Sequence, residues 1–467
     1  MTDARITNGA SARDEDRMFD GALNSVLQID KRDYPCYVGG LKVASGHERI
    51  VTSPVDTSIQ FGRFQEPEGD LPDIAAEAAA NAFRTWSKKG PAERAEIFVN
   101  VLNTVRKQKY RIAAAVTVSC GMIREDSVRE VERLAEIMED GCDKIKKGIK
   151  GRPTGVWAVM AEYNSPLAAP MGYAISAMLA GNTVVLIPPK ECPFPVYMLY
   201  DILVAAALPD GVLNIIFDPA GKAAAMLVEN ENVAGIAAAG RSDRFEDLMF
   251  AAADGSEFIS EFKGMNPFII YRPSSMQAAA GIAVRSAFRY SGQRTDSCSK
   301  VIITADEQKQ FIDHLLTAAK NITVGDPAEK GTFVGPVISK ESMDTFLNIV
   351  KGAKDALIFG GKRAACEVAD FGHYAVPAIF MGLPSDHDLN TMDHSLPILS
   401  VQVASNIEEA MELAGDCETG ICSGIISKDG KAVERFLAEA ASEKVYVNSA
   451  NDASGVALYA DVNRFVK

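Results

Sequence analysis

The residues best suited to covalent chemistry lie in one ten-residue stretch, SGQRTDSCSK, at positions 291–300. Thr295 and Asp296 lie at the tip of the turn that it predicts, and the β-branched run at 301–304 predicts a buried strand directly after it. A threonine hydroxyl needs a dedicated base before it acts as a nucleophile, whereas a cysteine thiol ionises near neutrality; the nearest thiol is that of Cys298. The stretch therefore has the setting of an active-site turn, with an unsuitable residue at its tip.

Alternating strands and helices must position that turn. Four apolar runs predict strands with helices between them: 154–160, 183–187, 212–217 and 233–238. This alternation is the signature of βαβ units around a parallel sheet, so residues 150–262 predict an open α/β nucleotide-binding region. The second half repeats the scheme, with helices predicted at 276–289 and 306–320 and a glycine turn at 359–361.

We expect four parts along the chain. They are an N-terminal arm (1–35), a nucleotide-binding domain (36–262), a catalytic domain (263–445) and a shortened C-terminal return (446–467). Residues 1–20 carry charges throughout, so they do not resemble a signal peptide and predict a frayed or peripheral segment. Short apolar runs between Gly and Pro at 37–61 predict an antiparallel hairpin.

Composition narrows the function classes. The 467 residues exceed the size of a single hydrophobic core, and 47% hydrophobic with 24% charged residues is typical of a globular α/β protein. A net charge of −14 argues against nucleic acid or an anionic membrane as a partner. The eight cysteines lack CxxC spacing, so we expect neither a metal site nor disulfides, and a reducing cytoplasm is the expected location.

One uncharged stretch, 165–189, has the length of a membrane span. Gly181 and Asn182 divide it into a small-residue helix and a short β-branched run. The stretch therefore predicts a buried helix followed by a buried parallel strand, and no membrane partner is expected.

A set of motifs follows one another in the order found in the aldehyde dehydrogenase superfamily, and this resemblance covers about 37–448. The motifs are EYNSP at 162–166 (family style PWNFP), GNTVVL at 181–186, LPDGVLN at 208–214, EFKGMNP at 261–267 (family style ELGGKNP), VGDP at 324–327 and VYVN at 445–448. The turn at 291–300 is most similar to the 1-pyrroline-5-carboxylate (glutamate semialdehyde) dehydrogenase branch, GQKCSACSRVIV. The resemblance implies the aldehyde dehydrogenase fold, with a Rossmann-like parallel-sheet domain, an α/β catalytic domain and a reduced oligomerisation element.

In the family's reaction a thiolate attacks the aldehyde, the adduct gives hydride to a nicotinamide, and water cleaves the thioester. The resemblance implies that Thr295 replaces the nucleophilic cysteine, that Asn164 supplies the oxyanion amide and that Glu261 is the base for thioester hydrolysis. The alternative for Asn164 is an ordinary turn asparagine, and the alternative for Glu261 is a solvated carboxylate at the end of a helix or strand. Cys298 is expected to be a packing residue, with a displaced nucleophile as the alternative, and Asp296 replaces a serine that helps to hold the substrate carboxylate, which it should repel.

The resemblance implies NAD or NADP as cofactor, but the positions that would hold it have changed. Lys190 ends the run IPPK, where the family has KPSE, whose lysine and glutamate hold the adenine-side ribose. Gly240 and Arg241 end the run AAGR, where the family's FTGS places a helix N-terminus under the pyrophosphate. Arg241 would add a charge there or be an ordinary solvated residue, and Asp393 replaces the glutamate beside the nicotinamide ribose.

Two elements that join subunits in the family are shortened. The connection at 145–154 is shorter than the family's hairpin, and the chain ends at Lys467 without the usual closing strand. Either element without the other would leave an unpaired sheet edge, so the shortening of both together is self-consistent. We expect a monomer or a differently built dimer.

Three functions remain open at this point. The first is NAD(P)-dependent oxidation of a small semialdehyde by an altered route; the second is a catalytically silent binding or scaffold protein with a small-molecule ligand. The third is a non-redox enzyme that uses Asn164 and Glu261 on another acyl or carbonyl substrate. The joint changes at Thr295 and the cofactor positions favour the last two, because loss of a covalent nucleophile costs about 10⁴ to 10⁶ in rate.

Overall fold

A computed structural model describes residues 12–28, 32–252, 256–417, 420–451 and 456–467. The strands in these ranges are β1 (Arg32–Tyr34), β2 (Cys36–Val38), β3 (Leu41–Val43), β4 (Glu48–Thr52), β5 (Gln60–Gln65), β6 (Val156–Ala161), β7 (Thr183–Ile187), β8 (Leu213–Ile215), β9 (Val233–Arg241), β10 (Glu257–Lys263), β11 (Phe268–Ile270), β12 (Lys300–Thr304), β13 (Leu357–Arg363), β14 (Ala375–Met381), β15 (Ile398–Ala404), β16 (Cys422–Ile426) and β17 (Lys444–Val447). The α-helices are α1 (Ala12–Leu27), α2 (Leu71–Trp86), α3 (Pro91–Lys107), α4 (Lys109–Cys120), α5 (Arg124–Lys147), α6 (Ala168–Ala180), α7 (Phe194–Ala205), α8 (Lys222–Glu229), α9 (Ser242–Ala251), α10 (Met276–Phe288), α11 (Gln308–Lys320), α12 (Lys340–Gly352), α13 (Asp388–Thr391), α14 (Ile407–Gly415) and α15 (Gly430–Glu439).

The first large sheet has the strand order β10-β9-β6-β7-β8-β2-β3, and its strands from β6 to β10 run parallel. All residues of β6 and β7 are buried, as expected for strands covered by helices on both faces. The chain passes from β6 to β7 and β8 on one side, then returns to the other side of β6 for β9 and β10. Such a reversal opens a crevice at the carboxyl ends of β6 and β9, where open α/β sheets bind ligands.

The second large sheet has the order β13-β14-β15-β12-β11-β16-β17, with only β13 antiparallel to its neighbour. β12 lies near its centre between β15 and β11, and all five of its residues are buried. This strand follows the turn at 291–300 directly, so the turn is attached to the most rigid part of the sheet. β4 and β5 form an antiparallel pair in a separate three-stranded sheet.

Most of the predicted elements at 150–262 are present, and the strand predicted at 233–238 continues to Arg241. The turn predicted at 359–361 is wrong: these residues lie inside β13, an edge strand whose register shifts beside Phe359. Gly360 and Gly361 have φ values of 67° and 73°, which lets the strand stay paired through an irregular segment.

A peripheral position stays compatible with the mostly exposed or half-buried side chains at 13–20, but the expectation of a frayed segment is wrong for residues 12–20. They belong to α1, which packs on α4 and buries Phe19 and Val26. Residues 1–11 lie outside the described residues. Burial of two large apolar side chains outweighs the charged composition that suggested a loose arm.

The C-terminal segment 456–467 returns to the first domain. Val456, Val462 and Phe465 are fully buried in the core that surrounds α6. Val466 bridges Pro153, and the Arg152 amide donates to the Lys467 carbonyl at 2.7 Å. The connection at 145–154 is thus paired by this chain's own residues. Across the described residues, no helix combines the length and the apolar character that crossing a bilayer requires.

Candidate functional site

The turn before β12 is tightly bent and buried. Tyr290 and Ser291 have φ values of 51° and 54°, and a Cβ on Gly292 would lie 2.3 Å from the Leu396 carbonyl oxygen, so only glycine fits there. The Gln293 side-chain oxygen accepts the Ile338 amide at 2.8 Å. The backbone framework of an active-site turn is therefore in place.

Thr295 lies at the end of this turn with 1% of its surface exposed. Its carbonyl accepts the Asn266 side-chain amide at 2.9 Å, but within the described part of the chain its hydroxyl has no hydrogen-bond partner. A hydroxyl without a base to take its proton stays in its unreactive neutral form. The geometry supplies no activation for this residue.

Cys298 lies in the apolar core of the second sheet. The residue is completely buried, and its thiol lies 3.2 Å from the Lys300 carbonyl oxygen. Burial raises the pKa of the Cys298 thiol to about 12. These contacts support the packing interpretation and count against a displaced nucleophile.

Asn164 follows β6 and is fully buried against the turn. Its side-chain nitrogen donates to the Gln293 carbonyl at 2.6 Å and to the Ser395 hydroxyl at 3.2 Å. Both amide protons are therefore taken up by protein acceptors. The expected placement of Asn164 beside the turn is observed, but oxyanion stabilisation would require one of these two contacts to break.

Glu261 lies in β10 and is completely buried, so the solvated-carboxylate alternative is wrong. Its carboxyl oxygens accept the Tyr173 hydroxyl at 2.7 Å and the amides of Ala457 and Leu458 at 2.7 and 2.6 Å. Burial raises the pKa of Glu261 to about 7, although these donors act in the opposite direction. The carboxyl group fastens the C-terminal segment to α6.

Asp296 is buried in an internal ion pair. Its carboxylate contacts the Arg294 guanidinium and accepts the Tyr446 hydroxyl at 3.3 Å. Arg294 also donates to the Asn451 side chain at 3.0 Å. Because Arg294 neutralises the Asp296 charge, the expected repulsion of a substrate carboxylate is largely removed. Arg294 lies in the same turn, two residues before Asp296.

Gly240 and Arg241 lie at the end of β9, directly before α9. A Cβ on Gly240 would lie 2.7 Å from Glu162 Cγ, and the Arg241 amide donates to Glu162 Oε2 at 2.9 Å. The Arg241 side chain donates to Asp243, with 3.0 Å between Nε and Oδ1. The amide and the cation that the resemblance assigns to pyrophosphate are both engaged by carboxylates of this chain.

Lys190 and Asp393 are the other two expected cofactor residues. Lys190 lies 3.8 Å from the Glu191 carboxylate, and it is partly exposed. The Asp393 carboxylate contacts the Lys263 ammonium and accepts the Ser395 amide at 2.8 Å. Burial raises the pKa of Asp393, but the Lys263 charge, together with the hydrogen bonds from Lys263, Ser299 and the Ser395 amide, outweighs it and holds that pKa below its ordinary value.

These contacts bring the expected residues into two groups. Asn164 binds the Gln293 carbonyl, two residues before Thr295 in the same turn, and Gly240, Arg241 and Asp393 lie around the crevice at the strand ends. The residues present do not fit a dinucleotide in the family's manner, because the amide, the cation and the carboxylate that would hold it already have internal partners.

Sequence reasoning missed Glu162, Lys263 and Tyr173. Glu162 stands where the family-style motif PWNFP has its first proline, and Lys263 stands where ELGGKNP has its first glycine. A charge inside a motif of buried residues was the available signal, since such a charge needs a partner in the fold. Tyr173 lies within an uncharged helix and offered no comparable signal.

Comparison with known proteins gives one consistent result. A family model described as "Aldehyde dehydrogenase family" matches residues 43–458. Among curated proteins, the chain is 27% identical over 454 residues to a 1-pyrroline-5-carboxylate dehydrogenase of Geobacillus kaustophilus, covering 92% of this chain and 87% of the relative. It is 26% identical over 452 residues to an alpha-ketoglutaric semialdehyde dehydrogenase of Bacillus subtilis, covering 92% of each.

Solved structures agree on the fold. A Thermus 1-pyrroline-5-carboxylate dehydrogenase with bound NAD superposes with a TM-score of 0.91 at 22% identity, covering 100% of this chain and 98% of that one. A Staphylococcus aureus betaine aldehyde dehydrogenase in complex with NAD⁺ superposes with a TM-score of 0.86 at 20% identity, covering 93% and 90%. The expected fold class is confirmed.

Proposed function

The chain belongs to the aldehyde dehydrogenase family, and from that premise we propose that it is a catalytically silent member, which keeps the fold without oxidising aldehydes through an enzyme-bound thioester. One observation carries this proposal: Thr295, at the position of the nucleophile, has a buried hydroxyl without a hydrogen-bond partner among the described residues. Family resemblance supports NAD(P)-dependent semialdehyde oxidation as the reaction from which this member departs.

The chemistry of the turn explains the loss. The family's first step forms a bond between a thiolate and the aldehyde carbon. This step requires a side chain whose pKa is low enough for it to ionise near neutrality. A threonine alkoxide is inaccessible near neutrality unless a neighbouring base removes its proton. The contacts of Asn164 and Glu261 are made with the turn backbone, Ser395, Tyr173 and the C-terminal segment, so neither group supplies such a base.

The two rival functions find less support. A displaced nucleophile at Cys298 would have to ionise inside an apolar core, against a pKa of about 12. A non-redox enzyme would need Asn164 and Glu261 to converge on one substrate, whereas the Asn164 side-chain nitrogen and the Glu261 carboxyl group bind different sets of protein partners. An oxidation assay tests the first rival, and the second stays a hypothesis.

The test is an oxidation assay of the purified chain with glutamate semialdehyde and alpha-ketoglutaric semialdehyde, each with NAD and with NADP. We expect turnover at least about 10⁴-fold below that of the Geobacillus kaustophilus relative measured in parallel. Turnover within about 100-fold of the relative would overturn the proposal. A Cys298→Ser variant, assayed beside it, identifies the thiol if such activity is found.

A further inference from the structure

We infer that this chain closes its own dinucleotide crevice, with Glu162 seated at the start of α9 and the Lys263–Asp393 ion pair filling the adjoining space, so that NAD and NADP do not bind there. The inference goes beyond the proposed function, because it concerns ligand binding and holds whatever residue 295 does.

The topology of the first sheet locates the crevice without reference to any relative. The strand order reverses between β6 and β9, and both strands end at the same edge, at Ala161 and Arg241. α9 begins at the next residue, Ser242. Ligand phosphates bind at such a place, because unpaired amides and the positive end of the helix dipole meet at the topological switch point.

Glu162 fills this position with a carboxylate. It is the first residue after β6, and its own amide donates to the Ala239 carbonyl at 2.9 Å, which fixes it across from the end of β9. Its Oε2 accepts the Arg241 amide at 2.9 Å. A carboxylate is stabilised at a helix N-terminus in the same way as a phosphate, so an incoming phosphate must displace a group of its own charge.

The glycine before the helix confirms how close this approach is. Gly240 has a φ of 147°, and any Cβ at this position would lie 2.7 Å from both Cγ and Oε2 of Glu162. A glycine at this position would allow a pyrophosphate to approach the backbone closely. Here the Glu162 side chain makes that close approach instead.

The Lys263–Asp393 pair closes the neighbouring part of the crevice. Lys263 is the last residue of β10, and Asp393 lies in the loop before β15 of the second sheet. Their side chains are 0% and 2% exposed, and Asp393 also accepts the Ser299 hydroxyl and the Ser395 amide. The carboxylate that a ribose would need is thus already engaged by a cation, a hydroxyl and a backbone amide of this chain.

The remaining contacts offer no replacement for the lost ones. Ile187 at the end of β7 is 7% exposed and has no polar side-chain atom to donate to a ribose. The Arg241 guanidinium pairs with Asp243, and Lys263 pairs with Asp393. Among the described side chains, the Arg241 and Lys263 cations are therefore neutralised by carboxylates of the same chain, which weakens the attraction for a phosphate, and Lys190 lies 3.8 Å from the Glu191 carboxylate.

The test is titration calorimetry of the full chain and of Glu162→Ala with ADP, which needs only the phosphate half of the crevice. We expect no saturable heat for the wild type with ADP, NAD or NADP up to millimolar concentrations. Glu162→Ala should gain ADP affinity at least about tenfold. Glu231→Ala removes an equal charge from an exposed position and should gain nothing.

NAD tests the second half of the crevice. We expect NAD affinity to rise further only when Lys263→Gly is combined with Glu162→Ala. Glu162→Ser, which also removes the carboxylate and shortens the side chain, replaces Glu162→Ala in both titrations if thermal melting shows that the alanine variant is unfolded. Micromolar binding of NAD or NADP by the wild type would overturn the inference. An unchanged ADP affinity in a folded Glu162 variant would overturn it equally.

Discussion

The turn before β12 and the crevice at the carboxyl ends of β6 and β9 differ in how each departs from the family pattern. The turn keeps its backbone framework, with Gly292 and Asn266 in place, and presents a hydroxyl that has no hydrogen-bond partner in the described ranges. The crevice keeps its topology but has gained charged side chains, Glu162 and Lys263, each with an internal partner. We propose that the turn has lost a reactive group, whereas the crevice has gained charged side chains.

The difference has an energetic consequence. A group that is merely absent from the turn leaves its neighbours satisfied, so substitution at Thr295 should have little effect on stability. Groups that were added to the crevice are held by buried ion pairs and helix-end contacts, so removing one partner leaves a charge without compensation. Substitutions in the two regions should therefore change the free energy of unfolding by different amounts and in opposite directions.

Lys263→Ala should produce the largest effect. Because it leaves the buried Asp393 carboxylate without its cation, we expect a loss of about 3 to 5 kcal/mol in the free energy of unfolding, measured by urea denaturation. The double variant Lys263→Met/Asp393→Asn should lose much less than the sum of the two single variants. Additive losses would show that the pair does not close the crevice as a unit.

Glu261 should give a pH dependence of intermediate size. Its pKa is raised to about 7 by burial, so the folded state holds a proton that the unfolded state has released. Stability from this group is present below about pH 4.5 and is lost as pH rises to about 7, by up to roughly 3 kcal/mol.

Glu261→Gln isolates this contribution, because every other titrating group is common to both proteins. The difference in unfolding free energy between the wild type and this variant should shift against the wild type from pH 5 to pH 7 and stay constant above about pH 7.5. A difference that moves in the wild type's favour over that interval would contradict the raised pKa.

Thr295→Val should produce the smallest effect. The substitution removes a buried hydroxyl that has no partner among the described residues and keeps the side-chain shape, so we expect a change between zero and a stabilisation of about 1 kcal/mol. Thermal melting checks it, with Ser291→Ala as control, because that hydroxyl donates to the Gly335 carbonyl at 2.8 Å and its loss should destabilise. A destabilised Thr295→Val would mean that the hydroxyl has a stabilising partner and that the turn has not simply lost a reactive group.

Local patterns were enough to predict most of the framework. The apolar run at 183–187 coincides with β7, and the helix predicted at 276–289 coincides with α10 to within one residue, because burial on one or both faces is encoded in neighbouring residues. Motif order predicted the family before any coordinates, and the match over 43–458 confirms it. The edge strand β13 was missed because its two glycines signal a turn when read alone.

The sequence by itself determined the fold class, and it predicted the replacement at Thr295 and the altered cofactor positions, because each is a matter of residue types in a fixed order. The tertiary structure alone decided what those positions contact. Glu162 contacts Arg241 79 residues away, Glu261 contacts Ala457 196 residues away, and Lys263 contacts Asp393 in the loop before β15. The physical reason is that a buried charge is stabilised by its partners in space, and no local pattern records which distant group the folded chain brings beside it.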